Sequence, residues 1–415
     1  MNATLFKNVH VLDVRAGQLL EDHQVLVEGD AIRELSDRPI TATTARVIDG
    51  GGRTLMPGLI DCHVHVTFSQ TNLGLLAQTP QTTLALRALP ILRGMLRRGF
   101  TTVRDAGGAD WALKQAIDDG IDGTVTGPRL FVSGPALSPT GGHGDFRPRS
   151  DRLQPIGCGC QRLASTRVVD GVDAVRQAVR ELLQMGADQI KIMSSGGVAS
   201  PTDPVNALGY SLDETRAIVD EAAARHTIVL AHAYTPEAIR RAVECGVRSI
   251  EHGNLIDAPT AELMAERGAF AVPTLITYEA LARDGARLGL GAESVAKIEQ
   301  VRAAGLKSLE ILKTAGVRMA YGTDLLGASH ELQSEEFLIR AQVQSNLEVL
   351  QSATLIGAEL LNQVGVIGEI ASGARADLLL VDGNPLADLA CLTGQGERIP
   401  LVMQGGKLRV NELRA

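Results

Sequence analysis

The chain has 415 residues, a net charge of −8 at pH 7, 45% hydrophobic residues and only 3% aromatic residues. Because it lacks the basic surface by which proteins bind nucleic acid, we expect no nucleic-acid partner, and no run of about 18 apolar residues occurs that could span a membrane. Five cysteines argue against a disulfide framework and favour a reducing compartment. Since the N-terminus also lacks a basic stretch followed by an apolar one, the sequence predicts a cytoplasmic enzyme.

The two ends of the chain are predicted to form one small β domain. Residues 1–55 contain stretches such as "HQVLVEGDAIREL", in which apolar and polar residues alternate between Gly and Asp positions, a pattern typical of antiparallel strands. The C-terminal stretches "ADLLLVDGNPL" and "IPLVMQGGKLRV" show the same pattern. We therefore assign residues 1–56 and 366–415 to a small β-sandwich domain, with residues 57–365 inserted between them.

The middle of the chain alternates short β-rich stretches with amphipathic helical ones, such as residues 173–186 and 213–226. The eight β-rich stretches are "LIDCHVHV", "TTVRDAG", "RLFVSG", "QIKIMSSGG", "TIVLAHAY", "SIEHGN", "FAVPTLIT" and "RMAYGTDL". Glycines that would end helices precede several of them, at Gly99, Gly186, Gly246 and Gly316. This order predicts an α/β fold with a (β/α)8 TIM-type barrel. A doubly wound dinucleotide-binding sheet is disfavoured, because no G-x-G-x-x-G turn follows the first strand.

Polar residues that can bind metal ions occur near the ends of five of these eight strands. They are His63 and His65 on the first strand, Lys191 on the fourth, His232 on the fifth, His252 on the sixth and Asp324 on the eighth. Active sites of such barrels lie at the C-terminal ends of the strands. Alternation along the first strand should turn His63 and His65 into the barrel mouth, with Cys62 and Val64 pointing outward. One His-x-His alone is more often structural, but the joint pattern favours a metal site.

These positions predict two divalent metal ions. His63 and His65 are expected to hold one ion and His232 and His252 the other, while Asp324 would bind from the opposite wall and also transfer a proton.

Lys191 needs a different role, because an ammonium group beside two cations is unfavourable. Burial near metals depresses the pKa of a lysine, and the neutral amine can add CO2 to become a carbamate that would bridge the ions. The alternative is an ordinary lysine whose ammonium reaches the end of the strand.

At these residues the chain resembles the amidohydrolase superfamily. "PGLIDCHVH" is similar to that family's first-strand signature, and "QIKIMSSGG", "LAHAYTPEA", "SIEHGN" and "YGTDLLG" are similar to its later ligand strands. "TTVRDAGG", "SPTGGHGDFRPRS" and "ADQIKIMSSGGVASPTDP" resemble the branch of prolidases and Xaa-Arg or Xaa-Lys dipeptidases, to which imidazolonepropionase is a more distant relative.

The resemblance implies a barrel with a flanking β domain, an even-numbered homo-oligomer and two zinc ions, although sites of this type also accept Mn, Co or Fe. It implies Asp324 as a ligand and proton carrier and Lys191 as the carboxylated bridge. The remaining implied ligands are His63, His65, His232 and His252.

Residues in the loops after the strands are predicted to bind the substrate. His143 follows the third strand and Tyr234 follows the fifth, so both would overhang the barrel mouth. His143 could donate to a substrate carbonyl, and Tyr234 could do the same or hold the substrate; a role in loop packing is the alternative for each. Arg147 and Arg149 lie in the same loop as His143. Either guanidinium could bind the free carboxylate of a dipeptide or remain a solvated surface charge. His330 is a further candidate for that carboxylate.

Two other motifs receive structural interpretations. Arg104 and Asp105 end the second strand and are expected to form an ion pair beneath the site. Cys158 and Cys160 lie in a long loop without a second cysteine pair, so an ordinary loop is favoured over a zinc site.

The predicted activity is metal-dependent hydrolysis of the C-terminal amide bond of dipeptides, above all Xaa-Pro, by a hydroxide that bridges the two ions. Asp324 would take the proton of the nucleophile and pass it to the leaving nitrogen. The alternatives are other N-acyl amino acids such as ochratoxin, Xaa-Arg or Xaa-Lys dipeptides, or a cyclic amide. A deaminase of the same superfamily is disfavoured by Lys191, and a non-catalytic scaffold by the intact ligand set.

Overall fold

The computed structural model describes residues 3–120, 125–147, 165–200, 203–287 and 290–413. Its strands are β1 Ala3–Asp13, β2 Gln18–Glu28, β3 Ala31–Ser36, β4 Arg46–Pro57, β5 Leu59–Val64, β6 Phe100–Asp105, β7 Arg129–Val132, β8 Ala136–Ser138, β9 Thr166–Val168, β10 Ile190–Met193, β11 Val229–Ala233, β12 Ser249–His252, β13 Phe270–Val272, β14 Arg318–Met319, β15 Leu378–Val381, β16 Leu401–Gln404 and β17 Lys407–Asn411. Its α-helices are α1 Leu73–Ala77, α2 Gln81–Arg97, α3 Trp111–Asp119, α4 Val172–Gln184, α5 Leu212–Ala223, α6 Pro236–Glu244, α7 Ala258–Glu266, α8 Leu275–Asp284, α9 Ala292–Thr314, α10 Glu336–Arg340, α11 Asn346–Ser352 and α12 Leu355–Leu360. Within these ranges no helix combines the length and the apolar character needed to cross a bilayer.

Both ends of the chain contribute to one seven-stranded sheet, in the order β17-β16-β15-β4-β1-β2-β3. The N-terminal and C-terminal segments meet where β4 and β15 run antiparallel, with Met56 opposite Leu379. Buried aliphatic side chains from both segments, such as Leu55 and Leu380, share one hydrophobic cluster. The predicted pairing of the two ends in a small β domain is confirmed.

One detail of that prediction is wrong, because this sheet is mixed rather than antiparallel. β1 and β4 are parallel, with Leu5 opposite Val47. β3 runs in the same direction as β1, and residues 37–45 then return the chain to the free edge of β1. A connection of this kind makes the next strand enter parallel to β1.

The eight predicted barrel strands correspond to β5, β6, β7 and β10 to β14. β5, β6 and β7 are parallel neighbours, and β10 to β14 form a continuous parallel series. The first and last strands are also adjacent, since Cys62 N donates to Tyr321 O at 2.7 Å and Asp324 N donates to His63 O at 2.8 Å. The (β/α)8 barrel is confirmed.

The third barrel strand is divided into two pieces. β7 pairs with β6, whereas β8 pairs with β10 and β9. Gly134, with φ of 65°, and Pro135 separate the pieces, and a proline offers no N–H to a ladder. The division redirects the chain toward the barrel mouth, where His143 follows β8.

Local sequence explains where the helices end and how they pack. The four glycines expected to end helices, at positions 99, 186, 246 and 316, all have φ between 74° and 96°, a left-handed conformation that glycine adopts without strain. On α4, Val175, Val179 and Leu182 are buried on one face, as expected for an amphipathic helix packed on a barrel.

Candidate active site

A cavity of about 70 Å³ lies at the C-terminal ends of the barrel strands, and we call it the barrel-mouth cavity. Its lining includes all six predicted ligand residues, His63, His65, Lys191, His232, His252 and Asp324, together with His143 and Tyr234. A larger cavity of about 260 Å³ lies between α3 and α4, but the described residues that line it include no histidine or lysine. The predicted metal ligands therefore lie together at the barrel-mouth cavity, beside His143 and Tyr234.

His63, His65 and Asp324 form the tightest group in this cavity. One potential ligand atom of each lies within 4.8 Å of the other two. Asp324 Oδ1 is 3.4 Å from His63 Nε2 and 3.1 Å from His65 Nε2. We expected Asp324 to lie on the wall opposite His63 and His65. It lies beside them instead, because barrel closure places the eighth strand next to the first.

His232 and His252 form a second group that is continuous with the first. Their ring centroids are 4.7 Å apart, and the ring of His252 is 5.1 Å from that of His63. Burial lowers the pKa of both His232 and His252 well below the usual value. Both imidazoles are therefore neutral near pH 7, as a metal ligand must be.

Hydrogen bonds behind three of the histidines occupy one ring nitrogen of each. His63 Nδ1 donates to Glu251 Oε2 at 2.6 Å, and His65 Nδ1 donates to Gly107 O at 2.7 Å. His232 Nε2 donates to Gly196 O at 3.1 Å. Carbonyl and carboxylate oxygens accept only, so the other nitrogen carries a lone pair.

This arrangement fits a bound metal ion. His63 Nε2 is buried and has no hydrogen-bond partner, which is unfavourable unless a cation or another ligand satisfies it. Histidine ligands in metal sites are oriented by hydrogen bonds of this kind.

Lys191 lies on β10 with 2% of its surface exposed. Burial lowers the pKa of its ammonium group to about 8. A fraction of the side chain is therefore unprotonated near neutral pH, which is the form that reacts with CO2.

Sequence reasoning missed Glu251, which lies between His63 and Arg104. Arg104 Nη2 is 2.8 Å from both Glu251 oxygens, and all three side chains are buried. Burial alone would raise the pKa of Glu251, but the charge of Arg104 and the hydrogen bond from His63 lower it. A carboxylate next to a predicted ligand histidine on the barrel strand "SIEHGN" was the available signal.

The predicted ion pair between Arg104 and Asp105 is wrong. Arg104 pairs with Glu251 instead. Asp105 accepts backbone N–H groups from Val66, Gly107 and Ala109. The two residues are consecutive in an extended strand, so their side chains point in opposite directions.

His143 lies over His232, with ring centroids 4.3 Å apart. Its Nδ1 is 2.7 Å from Ser200 Oγ, and burial lowers its pKa to about 4. A Cβ atom at Gly197 would lie 1.9 Å from His143 Cε1, so the ring occupies space that only glycine leaves open. Tyr234 is buried beside His252, and its hydroxyl is 2.9 Å from that of Tyr278.

The candidates for carboxylate binding are less central. Arg147 Nε donates to Asp145 Oδ1 at 2.6 Å, and neither residue is among those described as lining the cavity. His330 is buried, with Nε2 3.2 Å from Phe68 O, and is also not among the described lining residues. Arg149, and the Cys158 to Cys160 segment, lie outside the described residues.

Comparisons with known proteins agree with this geometry. Residues 54–408 match the amidohydrolase family. A solved amidohydrolase is 60% identical over 100% of both chains, with a TM-score of 0.97. A prolidase solved with N-methylphosphonate-L-proline is 57% identical, covers 98% of this chain and 99% of its own, and has a TM-score of 0.95. Ochratoxinase of Aspergillus niger is 34% identical over 366 residues, which is 85% of this chain and 75% of that protein.

Proposed function

Because this chain belongs to the amidohydrolase family and is a hydrolase, we propose that it is a metal-dependent dipeptidase that cleaves Xaa-Pro. The observation that carries the substrate class is the 57% identity, over nearly the whole length of both chains, to a prolidase bound to a proline phosphonate. Such a phosphonate has tetrahedral phosphorus where a dipeptide has a planar carbonyl carbon.

The metal ions in this proposal are two divalent cations, with zinc as the expected element. His63, His65 and Asp324 would hold one, and the pair His232 and His252 would hold the other. Bound divalent cations lower the pKa of a water molecule toward neutrality and polarise the carbonyl under attack. Support comes from the hydrogen bonds that hold His63, His65 and His232 from behind and from the buried His63 Nε2, which has no hydrogen-bond partner.

We propose that Lys191 becomes a carbamate that would link the two metal sites. Its neutral amine attacks CO2, one N–C bond forms, and one proton is released to solvent. The product is an anion with two oxygens, and it replaces a cation that would oppose metal binding. The lowered pKa of Lys191, about 8, supports this step.

Protons move through Asp324 in the proposed reaction. Burial alone would raise the pKa of Asp324, but His63 and His65 lower it well below the usual value, so at neutral pH the carboxylate is ionised, the form that can accept a proton. It takes this proton from the attacking water and delivers it to the proline nitrogen, a secondary amine that must be protonated to leave. His143 and Tyr234 would donate to the oxygen of the scissile carbonyl.

The substrate carboxylate is assigned to the loop after β8. Arg149 is the proposed partner, since the guanidinium of Arg147 is already hydrogen-bonded to Asp145. We further propose that the protein is cytoplasmic and forms a homo-oligomer. Light scattering of the purified protein would test the oligomeric state.

The test is hydrolysis of L-Xaa-L-Pro, L-Xaa-L-Arg and N-acyl amino acids by zinc-loaded protein, with a chelator-treated control. We expect chelator-sensitive turnover concentrated on Xaa-Pro. Turnover that survives complete metal removal would contradict metal dependence, and turnover concentrated on another class would overturn the substrate assignment.

A second candidate activity is hydrolysis of a bulky N-acyl amino acid such as ochratoxin. The 34% identity to ochratoxinase favours it, and its scissile bond is also an amide to an amino acid. Comparing kcat/KM for ochratoxin A with that for L-Ala-L-Pro separates the two, because the proposed prolidase should prefer the dipeptide.

A further inference from the structure

Ser200 contacts His143, yet the proposed reaction does not use it. It belongs to the loop after β10 and is fully buried, and its Oγ is 2.7 Å from His143 Nδ1. The His143 ring lies between this loop, at Gly197, and the ring of His232. The contact therefore joins a buried hydroxyl group to an imidazole that lines the barrel-mouth cavity.

The backbone around Ser200 is held by two anchors. Lys297 on α9 donates to Ser200 O at 2.6 Å and to Asp203 O at 3.0 Å. The side chain of Asp203 folds back over the same loop, where its Oδ2 accepts the N–H of Gly197 at 2.7 Å. These bonds hold the loop against α9 and keep the backbone at Ser200 in one position.

The direction of the hydrogen bond between Ser200 and His143 follows from the available acceptors. A serine hydroxyl has one proton to donate, and within the described residues Ser200 Oγ makes one hydrogen bond, to His143 Nδ1. Asp203 Oδ1 does not take this proton, because it is buried without any partner. If His143 Nδ1 donated instead, the hydroxyl proton would be buried without an acceptor, which is unfavourable. Ser200 therefore donates and His143 Nδ1 accepts.

This direction determines where His143 carries its own proton. The hydrogen bond made by one ring nitrogen of a neutral histidine sets the state of the other, so a lone pair on Nδ1 places the proton on Nε2. Asp203 Oδ2 is 3.7 Å from Nδ1, too far to accept a hydrogen bond from it. No hydrogen bond within the described residues uses Nε2, so its N–H is available to a ligand in the cavity.

We propose that Ser200 is a positioning residue that fixes His143 in the tautomer with the proton on Nε2, so that this ring donates to an oxygen of the substrate. A donor that is set before the substrate binds needs no rearrangement during the reaction. The opposite tautomer would present a lone pair to the same oxygen and repel it. The role of the substrate oxygen rests on the proposed function, whereas the tautomer is a property of the protein alone.

Solid-state NMR of protein labelled with ¹³C,¹⁵N-histidine tests the tautomer directly. The signals of His143 are those that disappear in His143→Asn. We expect the proton on Nε2 in the wild type and a new population with the proton on Nδ1 in Ser200→Ala, because the carboxylate of Asp203 then favours a proton on that side. A proton on Nδ1 in the wild type, or an unchanged spectrum in Ser200→Ala, would overturn the inference.

Kinetics on L-Ala-L-Pro test the consequence for the reaction. We expect Ser200→Ala to lower kcat/KM about tenfold, as for loss of one hydrogen bond. Combined with His143→Asn it should cause no further loss, because both changes remove the same donor. A loss that multiplies with that of His143→Asn would show that Ser200 acts independently of the ring and would overturn the inference.

The control is Ser308→Ala on α9, which removes another buried hydroxyl group, one that donates to Gly305 O at 2.7 Å. Ser308 is not among the described residues that line the cavity, so this variant should keep the wild-type kcat/KM and the wild-type signals of His143. An equal loss of kcat/KM in Ser308→Ala would mean that the effect of Ser200→Ala is structural.

The two readouts separate this inference from the proposed function. A wild-type protein with the proton on His143 Nε2 that hydrolyses no dipeptide would overturn the proposed function and still support the role of Ser200. An active dipeptidase with the proton on Nδ1 would overturn the role of Ser200 alone.

Discussion

At the scale of single residues, Asp324 combines a strained backbone with two nearby histidines. Its φ is 51°, a conformation that asparagine and aspartate adopt more readily than other residues with a Cβ atom. Asp324→Asn therefore preserves the fold and removes only the basic oxygen. We expect kcat on the preferred substrate to fall about 100- to 10,000-fold, the usual contribution of general acid-base catalysis.

Metal content of the Asp324→Asn variant, measured by elemental analysis, should stay near that of the wild type, because the four histidines remain. A variant with near-wild-type kcat would disprove the assigned proton transfer. Loss of both metals would mean that Asp324 acts mainly as a ligand.

Glu251 is the residue behind the site whose removal should affect metal binding. Glu251→Gln leaves the buried Arg104 without its counter-charge and weakens the acceptor for His63 Nδ1. Breaking a buried ion pair costs about 3–5 kcal/mol of stability, and loss of a partner behind a ligand lowers metal affinity about 10- to 100-fold. Competition with a zinc chelator measures the second effect.

A matched control for Glu251→Gln is Glu336→Gln. Glu336 is another fully buried glutamate paired with an arginine, Arg340, and is not among the described cavity-lining residues. Burial raises the pKa of Glu336 to about 8, so this variant replaces a largely protonated carboxyl group and should keep the metal affinity of the wild type. Equal zinc affinity in both variants would show that Glu251 only supports the fold.

At the scale of elements, the loop after β10 forms the wall against which His143 packs. Gly197→Ala places a Cβ atom 1.9 Å from His143 Cε1, so the imidazole must leave its present position. We expect kcat to fall at least about 100-fold, the lower end for loss of one donor to the reacting oxygen. Steady-state kinetics of the purified variant measure this loss.

Gly291→Ala is the control for that glycine substitution. Gly291 precedes α9, and an added Cβ atom there meets nothing within 4 Å. This variant should have wild-type kcat, as should any alanine that displaces no catalytic group. If Gly197→Ala also retains wild-type kcat, His143 has no part in the reaction.

Strand alternation predicted some features of the site and missed others for a definable reason. It correctly placed His63 and His65 together at the cavity, although β5 ends at Val64 and its pairing with β6 is irregular between Asp61 and Val64.

Strand alternation could not predict that the consecutive residues Glu251 and His252 both belong to the site, with His252 lining the cavity and Glu251 hydrogen-bonded to His63 behind it, because the φ of 74° at His252 interrupts the alternation. The division of the third strand at Gly134 was likewise hidden, because a single apolar stretch does not reveal which neighbours its two halves will pair with.

At the scale of the whole molecule, the order of strands and helices was sufficient to predict the barrel and the domain built from both ends. The periodicity of each segment carries that information locally. The parallel pairing of β1 with β4 and the position of Asp324 beside His63 depend on contacts between distant segments. Local patterns contain no signal for such contacts, so only the folded chain reveals them.

Buried histidines also give the molecule a defined response to acid. Burial lowers the pKa of His143 and of His330 to about 4, whereas an imidazole in an unfolded chain titrates near about 6.5. Between these values the unfolded chain binds protons that the folded chain does not, so acidification favours unfolding. The stabilising contribution is complete above about pH 6.5 and is lost as the pH falls toward about 4.

His330 allows this linkage to be measured without disturbing the proposed metal ligands. For metal-free protein, we expect His330→Asn to take up about one proton fewer than the wild type on unfolding at about pH 5. Calorimetry in buffers of different ionisation enthalpy counts these protons directly, and the comparison cancels opposing groups such as Asp61, whose pKa burial raises to about 6. Near pH 8 the two proteins should take up equal numbers of protons. Equal uptake already at about pH 5 would mean that His330 is as readily protonated in the folded protein as in the unfolded chain.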